Sequence, residues 1–402
     1  MSEPLPLAGI RVLDISTYIA GPAAAVVLGD YGADVVKVEQ PGEGDPNRAM
    51  VSVASYPKSK VNYPWLMDAR NKRSIALDLK HPDGRGALDR LIRQADVLIT
   101  NFPPPVRERL KLRREDVEAL NPRLIYASLT GYGESGPDFD QPGFDSTAYF
   151  ARSGLVDQLR YDGQPPHFSL PAQGDRATAM ALVAGIMTAL YQRERTGKVT
   201  SVSTSLLANG LWSNGVYVQA ALLGAFLPLR PPRDRPRSAL ANLYRTRDER
   251  WLLLSFPMEE AMWPRLCRVI ERPELEQDVR FSSTPSRRAN AAALTAILDA
   301  AFAGDEASRW ARRLKENNLT FSLINRIEDI PGDEQAVAAG AVVESADPEM
   351  PRTLAAPFRL GGVAPQPAGK APALGQHTDE ILGEAGFEAE EIARLRQCGA
   401  AA

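Results

Sequence analysis

Gly174-Asp175 stands at the head of a long apolar run, a place where a carboxylate has two uses. Aspartate is a favoured helix N-cap, its oxygen accepting an N–H of the first turn. The same position suits chemistry, because the helix dipole keeps a carboxylate ionised while partial burial strips its water, and that form attacks carbonyl carbon. Local physics permits both roles. Other chemistries have less to work with. His81, His167 and His377 are scattered, without HExxH or paired spacing and without an evident serine triad, so they read as loop or cap residues and no metal site is expected. Cys267 and Cys398 lie far apart outside any CxxC pattern, which suggests neither a disulfide framework nor a zinc site and fits a reducing cytoplasm. The first βα turn, Ser16-Thr17-Tyr18-Ile19-Ala20-Gly21-Pro22, lacks the GxGxxG fingerprint, which disfavours a nicotinamide dehydrogenase.

Elements that could position Asp175 emerge from periodicity. Residues 10–15 and 34–39 read as strands around a small-residue helix at 21–31, with Pro22 suited to its first turn. The pattern repeats as strand 74–79, amphipathic helix 82–94, strand 97–100 and strand 124–129, an alternation that implies a mostly parallel, helix-covered sheet. After Gly131 the run Gly131-Tyr132-Gly133-Glu134-Ser135-Gly136-Pro137 is loop, in the position after a strand where α/β sheets place ligands. Helical patterns come next at 175–196, stopped by Gly197, and at 205–224, both apolar enough to be core helices. The proline and arginine stretch 228–236 reads as an interdomain linker. Beyond it lie a hairpin at 243–245 and 251–254 and helices near 259–270, 289–302 and 306–315, the pattern of a smaller α+β domain. From about 351 the tail returns to short strand-like pieces and ends in helices at 378–383 and 389–397.

A chain of 402 residues with 44% apolar and 24% charged residues is long enough for two domains and ordinary for a globular enzyme. The 47 basic and 50 acidic residues give a formal charge of -3, so nothing draws it broadly to nucleic acid or to an anionic membrane. No signal peptide or membrane helix is expected from the apolar runs.

Motifs spread over nearly the whole chain resemble the class III CoA-transferases, the CaiB/BaiF family. They are Leu7-Ala8-Gly9-Ile10-Arg11-Val12-Leu13-Asp14, Tyr31-Gly32-Ala33-Asp34-Val35-Val36-Lys37-Val38-Glu39, Asn71-Lys72-Arg73-Ser74-Ile75 and Asn121-Pro122-Arg123-Leu124-Ile125. Gly174-Asp175 with Gly185-Ile186, Arg193-Glu194-Arg195-Thr196-Gly197, Asn242-Leu243-Tyr244 and Leu374-Gly375-Gln376-His377-Thr378-Asp379 complete the set in order. The resemblance implies that Asp175 is the catalytic aspartate, forming a mixed anhydride and then an aspartyl-CoA thioester. Coenzyme A or acyl-CoA would be substrate, and no permanently bound cofactor is implied. Similarity to the formyl-CoA transferase branch places CoA contacts at Tyr18, Ile19, Ala20, Gln40, Leu77, Lys80, Asn101, Phe102, Arg109 and Leu206. Gln40 stands where that branch has arginine, so some charge contact is lost or supplied elsewhere.

The implied fold is α/β: a large doubly wound, Rossmann-like, mostly parallel domain (1–225, completed by 331–402) and a smaller α+β domain with its linker (226–330). Family subunits resemble open rings threaded through each other, which implies an interlocked homodimer. Several departures narrow the activity. Ile19 replaces the glutamine of the oxalate branch and no run of consecutive glycines appears between Ala241 and Trp263, so oxalate is disfavoured. Phe144 occupies the place of the histidine base of related racemases, and a phenyl ring accepts no proton. The segment 143–154 resembles the branch acting on phenyllactate, cinnamate and 2-hydroxyisocaproate, with Phe144 and Asp145 assigned to the substrate pocket. Asp145 either assists Asp175 or caps the next helix, and Tyr149 and Phe150 are either acyl-side or core residues. An acyl-CoA racemase and a non-catalytic CoA-binding paralogue are the competing readings.

Overall fold

Short runs of Val, Ile and Leu buried on both faces specify a parallel sheet covered by helices. The computed structural model describes residues 4–402, and in it six strands form that sheet: β1 (Arg11–Asp14), β2 (Asp34–Glu39), β3 (Lys72–Ala76), β4 (Val97–Thr100), β5 (Ile125–Thr130) and β6 (Val202–Ser205). Their order is β3-β2-β1-β4-β5-β6 with every neighbouring pair parallel. The strand order reverses between β1 and β4, and sheets of this kind open a crevice there at their carboxyl ends. The α-helices up to residue 225 are α1 (Ala20–Asp30), α2 (Tyr63–Ala69), α3 (Pro82–Gln94), α4 (Pro104–Arg109), α5 (Arg114–Glu118), α6 (Leu155–Leu159), α7 (Gln173–Thr196), α8 (Leu206–Ser213) and α9 (Gly215–Leu222).

Each face of the sheet has its own core. On one, α1 and α7 bury Ala24, Leu28, Leu182 and Ile186 against Val12, Ile99 and Ala127. On the other, Leu88 and Leu91 of α3 pack on Leu13, Ile75 and Leu98, joined by Ile381, Leu382 and Leu395 of the C-terminal helices. Apart from the end of α6, these elements belong to a compact unit of residues 4–156, 168–225 and 334–402. A second unit, residues 157–167 and 226–333, holds an antiparallel sheet of β7 (Leu243–Arg245), β8 (Trp251–Leu254) and β9 (Phe321–Ile324). Its core is Tyr244, Leu252, Trp263, Phe281, Phe302 and Trp310. No described helix is long and apolar enough to cross a membrane.

Three sequence expectations need correction. Helix α7 begins at Gln173, two residues earlier than its pattern suggests, after Ala172 in the left-handed region (φ 71°). The apolar stretch 205–224 is two helices, broken at Asn214, and beyond Leu206 and Gly210 it is not core: α9 buries no residue, and Trp212, Val216 and Leu222 are 86%, 82% and 75% exposed. Periodicity reports an apolar face but not what covers it. The pattern at 289–302 likewise breaks at Asn290 into Thr284–Ala289 and Ala291–Phe302.

Candidate active site

The turn leaving β1 is built on buried charge. Lys72 Nζ donates to Asp14 Oδ2 (2.8 Å), and Lys37 Nζ reaches Asp45 Oδ2 (2.8 Å) and the Ser16 carbonyl. Burial alone would raise the Asp14 carboxyl, but Lys37 and Lys72 outweigh it and hold it below the usual carboxylate range. Asp45 Oδ1 in turn accepts the Tyr18 N–H (2.9 Å), fixing Tyr18 at φ 63°, an uncommon conformation for a residue with a side chain. Asn47 Nδ2 donates to the Tyr18 carbonyl (3.0 Å) and to Asp68 (3.3 Å). Asn101 closes the other side, since its Oδ1 accepts the Thr17 N–H (2.8 Å) and its Nδ2 donates to the Thr17 carbonyl (2.7 Å).

Asp175 is the third residue of α7, not its N-cap, and no side-chain bond caps that helix. A carboxylate in the first turn still faces the positive end of the helix dipole. Gly174 before it is required by close packing, because a Cβ there would lie 2.5 Å from the ring of Tyr149, which is core. Tyr149 is held by a 2.6 Å hydrogen bond with Ser213. Loss of water, and next the charge of Asp145, push the half-buried Asp175 carboxyl up to about 7, although Arg176 pulls the other way. Arg176 is itself held on Asp68, with Nη2 donating to Oδ2 at 3.0 Å.

Asp145 does not cap its own element: it is the first residue of a π-helical turn, Asp145–Ala151, whose N-terminal N–H, that of Phe144, goes to Thr147 Oγ1. It is 6% exposed and its Oδ2 has no hydrogen-bond partner. Burial raises its carboxyl, opposed by the amides of Ser146, Gly174 and Ala172. Two poorly hydrated carboxylates thus share one cleft.

That cleft, about 390 Å³, gathers most of the residues singled out from sequence: Tyr18, Ile19, Ala20, Asn101, Phe102, Phe144, Asp145, Asp175 and Leu206. Phe144 is 58% exposed and meets the Tyr18 ring edge-on at 6.2 Å. A second cleft of about 190 Å³, lined by Gln40, Leu77, Lys80 and Phe102, shares Thr17 and Phe102 with the first. Lys80 is exposed there, whereas Gln40 Nε2 is engaged by Glu43 (3.0 Å). Two of the residues singled out lie outside both clefts. Arg109 lines neither cleft and is exposed at the end of α4, and Phe150 packs against the core instead of the acyl side. Both polar atoms of Asn101 are spent on the Thr17 backbone, so that side chain shapes the turn. The histidines His81 and His377 accept backbone N–H bonds from Asp83 (3.2 Å) and Ser74 (3.1 Å). Among the described residues, His81, Asp83 and Cys398 gather within 4.8 Å, a juxtaposition no sequence spacing could show.

Residues 7–378 match the family model of CoA-transferase family III. The chain belongs to that family. Among family III proteins it is 32% identical over 391 residues to (R)-2-hydroxy-4-methylpentanoate CoA-transferase of Clostridioides difficile, covering 96% of this chain and 97% of that one. Cinnamoyl-CoA:phenyllactate CoA-transferase of Clostridium sporogenes is 29% identical over 398 residues, 97% of this chain and 95% of the relative. A solved CaiB/BaiF family protein from Brucella suis superposes with a TM-score of 0.85 at 27% identity, covering 95% of this chain and all (100%) of that one.

Sequence reasoning missed several residues of this family III site. Asp45, Asn47, Asp68 and Arg176 carry the polar chain from β2 to α7, and Tyr56 lines the cleft beside Asp175 and Asp145. Tyr56 sits in a run, 52–60, whose every other residue is exposed, and nothing in that polar stretch marks an inward side chain.

Proposed function

We propose that the chain moves coenzyme A from an acyl-CoA donor to a carboxylic acid acceptor, with Asp175 as covalent nucleophile. The observation that carries this reading is Asp175 in the first turn of α7, unpaired by any capping bond, opening on a cleft that shares Thr17 and Phe102 with a second cleft bearing Lys80. The acyl end of the thioester lies in the first cleft and the nucleotide end in the second, where the Lys80 ammonium meets phosphate. Ionised Asp175 attacks the thioester carbonyl and CoA leaves as thiolate; that thiolate then attacks the Asp175 carbonyl of the mixed anhydride, forming aspartyl-CoA and releasing the donor acid as its carboxylate. The acceptor carboxylate then takes the reverse path. The thioester energy stays covalent throughout, and no nucleotide triphosphate is consumed.

The acyl side suits medium-sized or aromatic monocarboxylic acids. Ile19, Phe102, Phe144 and Leu206 line it, and no arginine or lysine does, so a second carboxylate on the substrate would lack a counter-ion. The relatives named for 4-methyl-2-hydroxypentanoate and phenyllactate act on acids of this kind. The racemase reading has no histidine in the cleft lining to serve as second base. Incubating a chiral 2-methylacyl-CoA in deuterated water separates the two, since a transferase leaves the α-proton in place.

The reading includes a cytoplasmic homodimer. Its support is the row of exposed apolar residues Tyr191, Trp212, Val216, Leu222 and Leu223 on α7 to α9 and the residue after, more than an isolated surface carries. Sedimentation as a stable monomer at submicromolar concentration would exclude it. The central test is Asp175→Asn: an amide is a far poorer nucleophile, so transfer should fall by several orders of magnitude, at least ~4 kcal/mol of barrier. Wild-type protein given acyl-CoA and then hydroxylamine should carry a modification on the peptide containing Asp175. A folded variant with near-normal transfer, or no trapped adduct, would end the proposal, the second outcome favouring a CoA-binding protein without activity.

A further inference from the structure

The cleft around Asp175 presents an electrostatic problem to any reaction in it. Two carboxylates line it and no arginine, lysine or histidine does. When an Asp175 oxygen bonds to the thioester carbonyl carbon, the carbonyl π electrons move to its oxygen. They return when the C–S bond breaks and sulfur leaves with its electron pair. The transient oxyanion is therefore born beside a second negative group, Asp145, and needs a positioned hydrogen-bond donor.

Besides the small hydroxyls of Thr17, Ser55, Thr130 and Ser146, three longer neutral side chains in the lining could donate to the oxyanion. Asn101 donates to Thr17, and Tyr18 is exposed beside Phe144. Tyr56 differs on three counts. It lines the cleft with both carboxylates; it is half-buried while its neighbours from 52 to 60 are exposed; and its hydroxyl makes no hydrogen bond among the described residues. Its segment is fixed by other bonds: the Tyr56 N–H donates to the Val53 carbonyl (3.1 Å) and Tyr63 Oη to the Pro57 carbonyl (3.1 Å). The run 52–60 thus presents one aromatic hydroxyl to the site.

We propose that Tyr56 is a further catalytic residue, its phenol donating a hydrogen bond to the thioester carbonyl oxygen as Asp175 attacks. Burial, and after it the charges of Asp175 and Asp145, pushes the phenol up to about 12, so it remains a protonated donor across the working range. The same two carboxylates that repel the oxyanion keep the proton on its donor. This inference rests on Asp175 being the nucleophile.

The test is Tyr56→Phe, which keeps the ring and removes the hydroxyl, with Tyr63→Phe as a control that loosens the same segment without touching the cleft. Steady-state transfer and rapid-quench trapping of the Asp175 adduct are measured with one acyl-CoA donor. Tyr56→Phe should lower kcat and the trapping rate together by about a hundredfold, the loss typical of one oxyanion donor, with KM for acyl-CoA little changed. Tyr63→Phe should stay within a few-fold of wild type. Adduct formation in Tyr56→Phe within threefold of wild type would overturn the inference while leaving the nucleophile intact. Equal losses in both variants would overturn it too, showing that the segment matters and the hydroxyl does not. Full activity in Asp175→Asn would instead remove the reading beneath it.

Discussion

Asp175→Asn should make the protein inactive and more stable, and the second effect has a magnitude and a sign. A carboxyl raised from 3.8 to about 7 resists ionising in the folded state by the difference, about 3 pH units. At about 1.36 kcal/mol per unit this is ~4 kcal/mol of destabilisation once the group is fully ionised. Asp175 is only half-buried, so solvent screening reduces the figure to roughly 2 kcal/mol. Against it stands the helix dipole, worth about 0.3–1 kcal/mol to a first-turn carboxylate and lost with the charge. Desolvation wins, leaving a net gain of ~1–2 kcal/mol for the neutral amide.

The sign comes from linkage. A group whose folded pKa is raised contributes stability that is fully present below its unfolded value of 3.8 and is lost as pH rises through about 7. The advantage of Asp175→Asn is therefore full at pH 8, less than half that at pH 5, and gone near 3.8. Thermal melts of both proteins at pH 8 and pH 5 measure it, with the variant melting on the order of 2–4 °C higher at pH 8. A variant that melts lower at pH 8, or whose advantage grows as pH falls, would refute the desolvation argument. It would leave Asp175 as an ordinary first-turn aspartate.

Other perturbations read neighbouring groups. In Asp145→Asn, loss of the second largest influence on Asp175 should move the acid limb of the pH–rate profile to lower pH, because the nucleophile ionises more easily; an unmoved limb would mean the pair is not coupled. Lys80→Ala should weaken CoA binding by roughly fivefold at low ionic strength, with the difference shrinking in 0.5 M salt, as isothermal titration would show; a salt-independent loss would contradict a phosphate contact. Gly174→Ala places a methyl group 2.5 Å from the Tyr149 ring and should cost about 1–3 kcal/mol in urea unfolding along with most of the activity. A neutral outcome would show that the ring can move aside.

Most of the strands were legible because they are local, although β6 was not read and the strand expected at 74–79 lies at 72–76. Residues 34–39, 82–94 and 97–100 occupy the elements their patterns indicate, since continuous apolar runs and a 3.6-residue period leave few alternatives. Gly174-Asp175 announced itself through residue type at a helix start, even though the structure moves Asp175 from the cap into the first turn. What the sequence withheld is non-local. The raised carboxyl depends on Asp145, 30 positions upstream, and on burial beneath segments that carry no periodicity. The apolar faces of α8 and α9 look like core in one dimension because exposure is a property of neighbours.

Positive and negative groups around the Asp175 cleft are kept apart. Lysines 37 and 72 lie under the turn after β1, matched to Asp14 and Asp45, and there they hold Tyr18 in a strained conformation at the mouth of the cleft. Arg176, the cation next to Asp175 in sequence, is likewise held on Asp68. Cations thus build the walls while the cleft itself keeps only carboxylates and neutral donors. An Arg or Lys inside it would lower Asp175 toward its ordinary value and pair with it, and a paired carboxylate is a weaker nucleophile. On the proposed mechanism, keeping cations out preserves a reactive carboxylate and shifts the work of stabilising the oxyanion onto hydroxyl and amide donors, among them Tyr56.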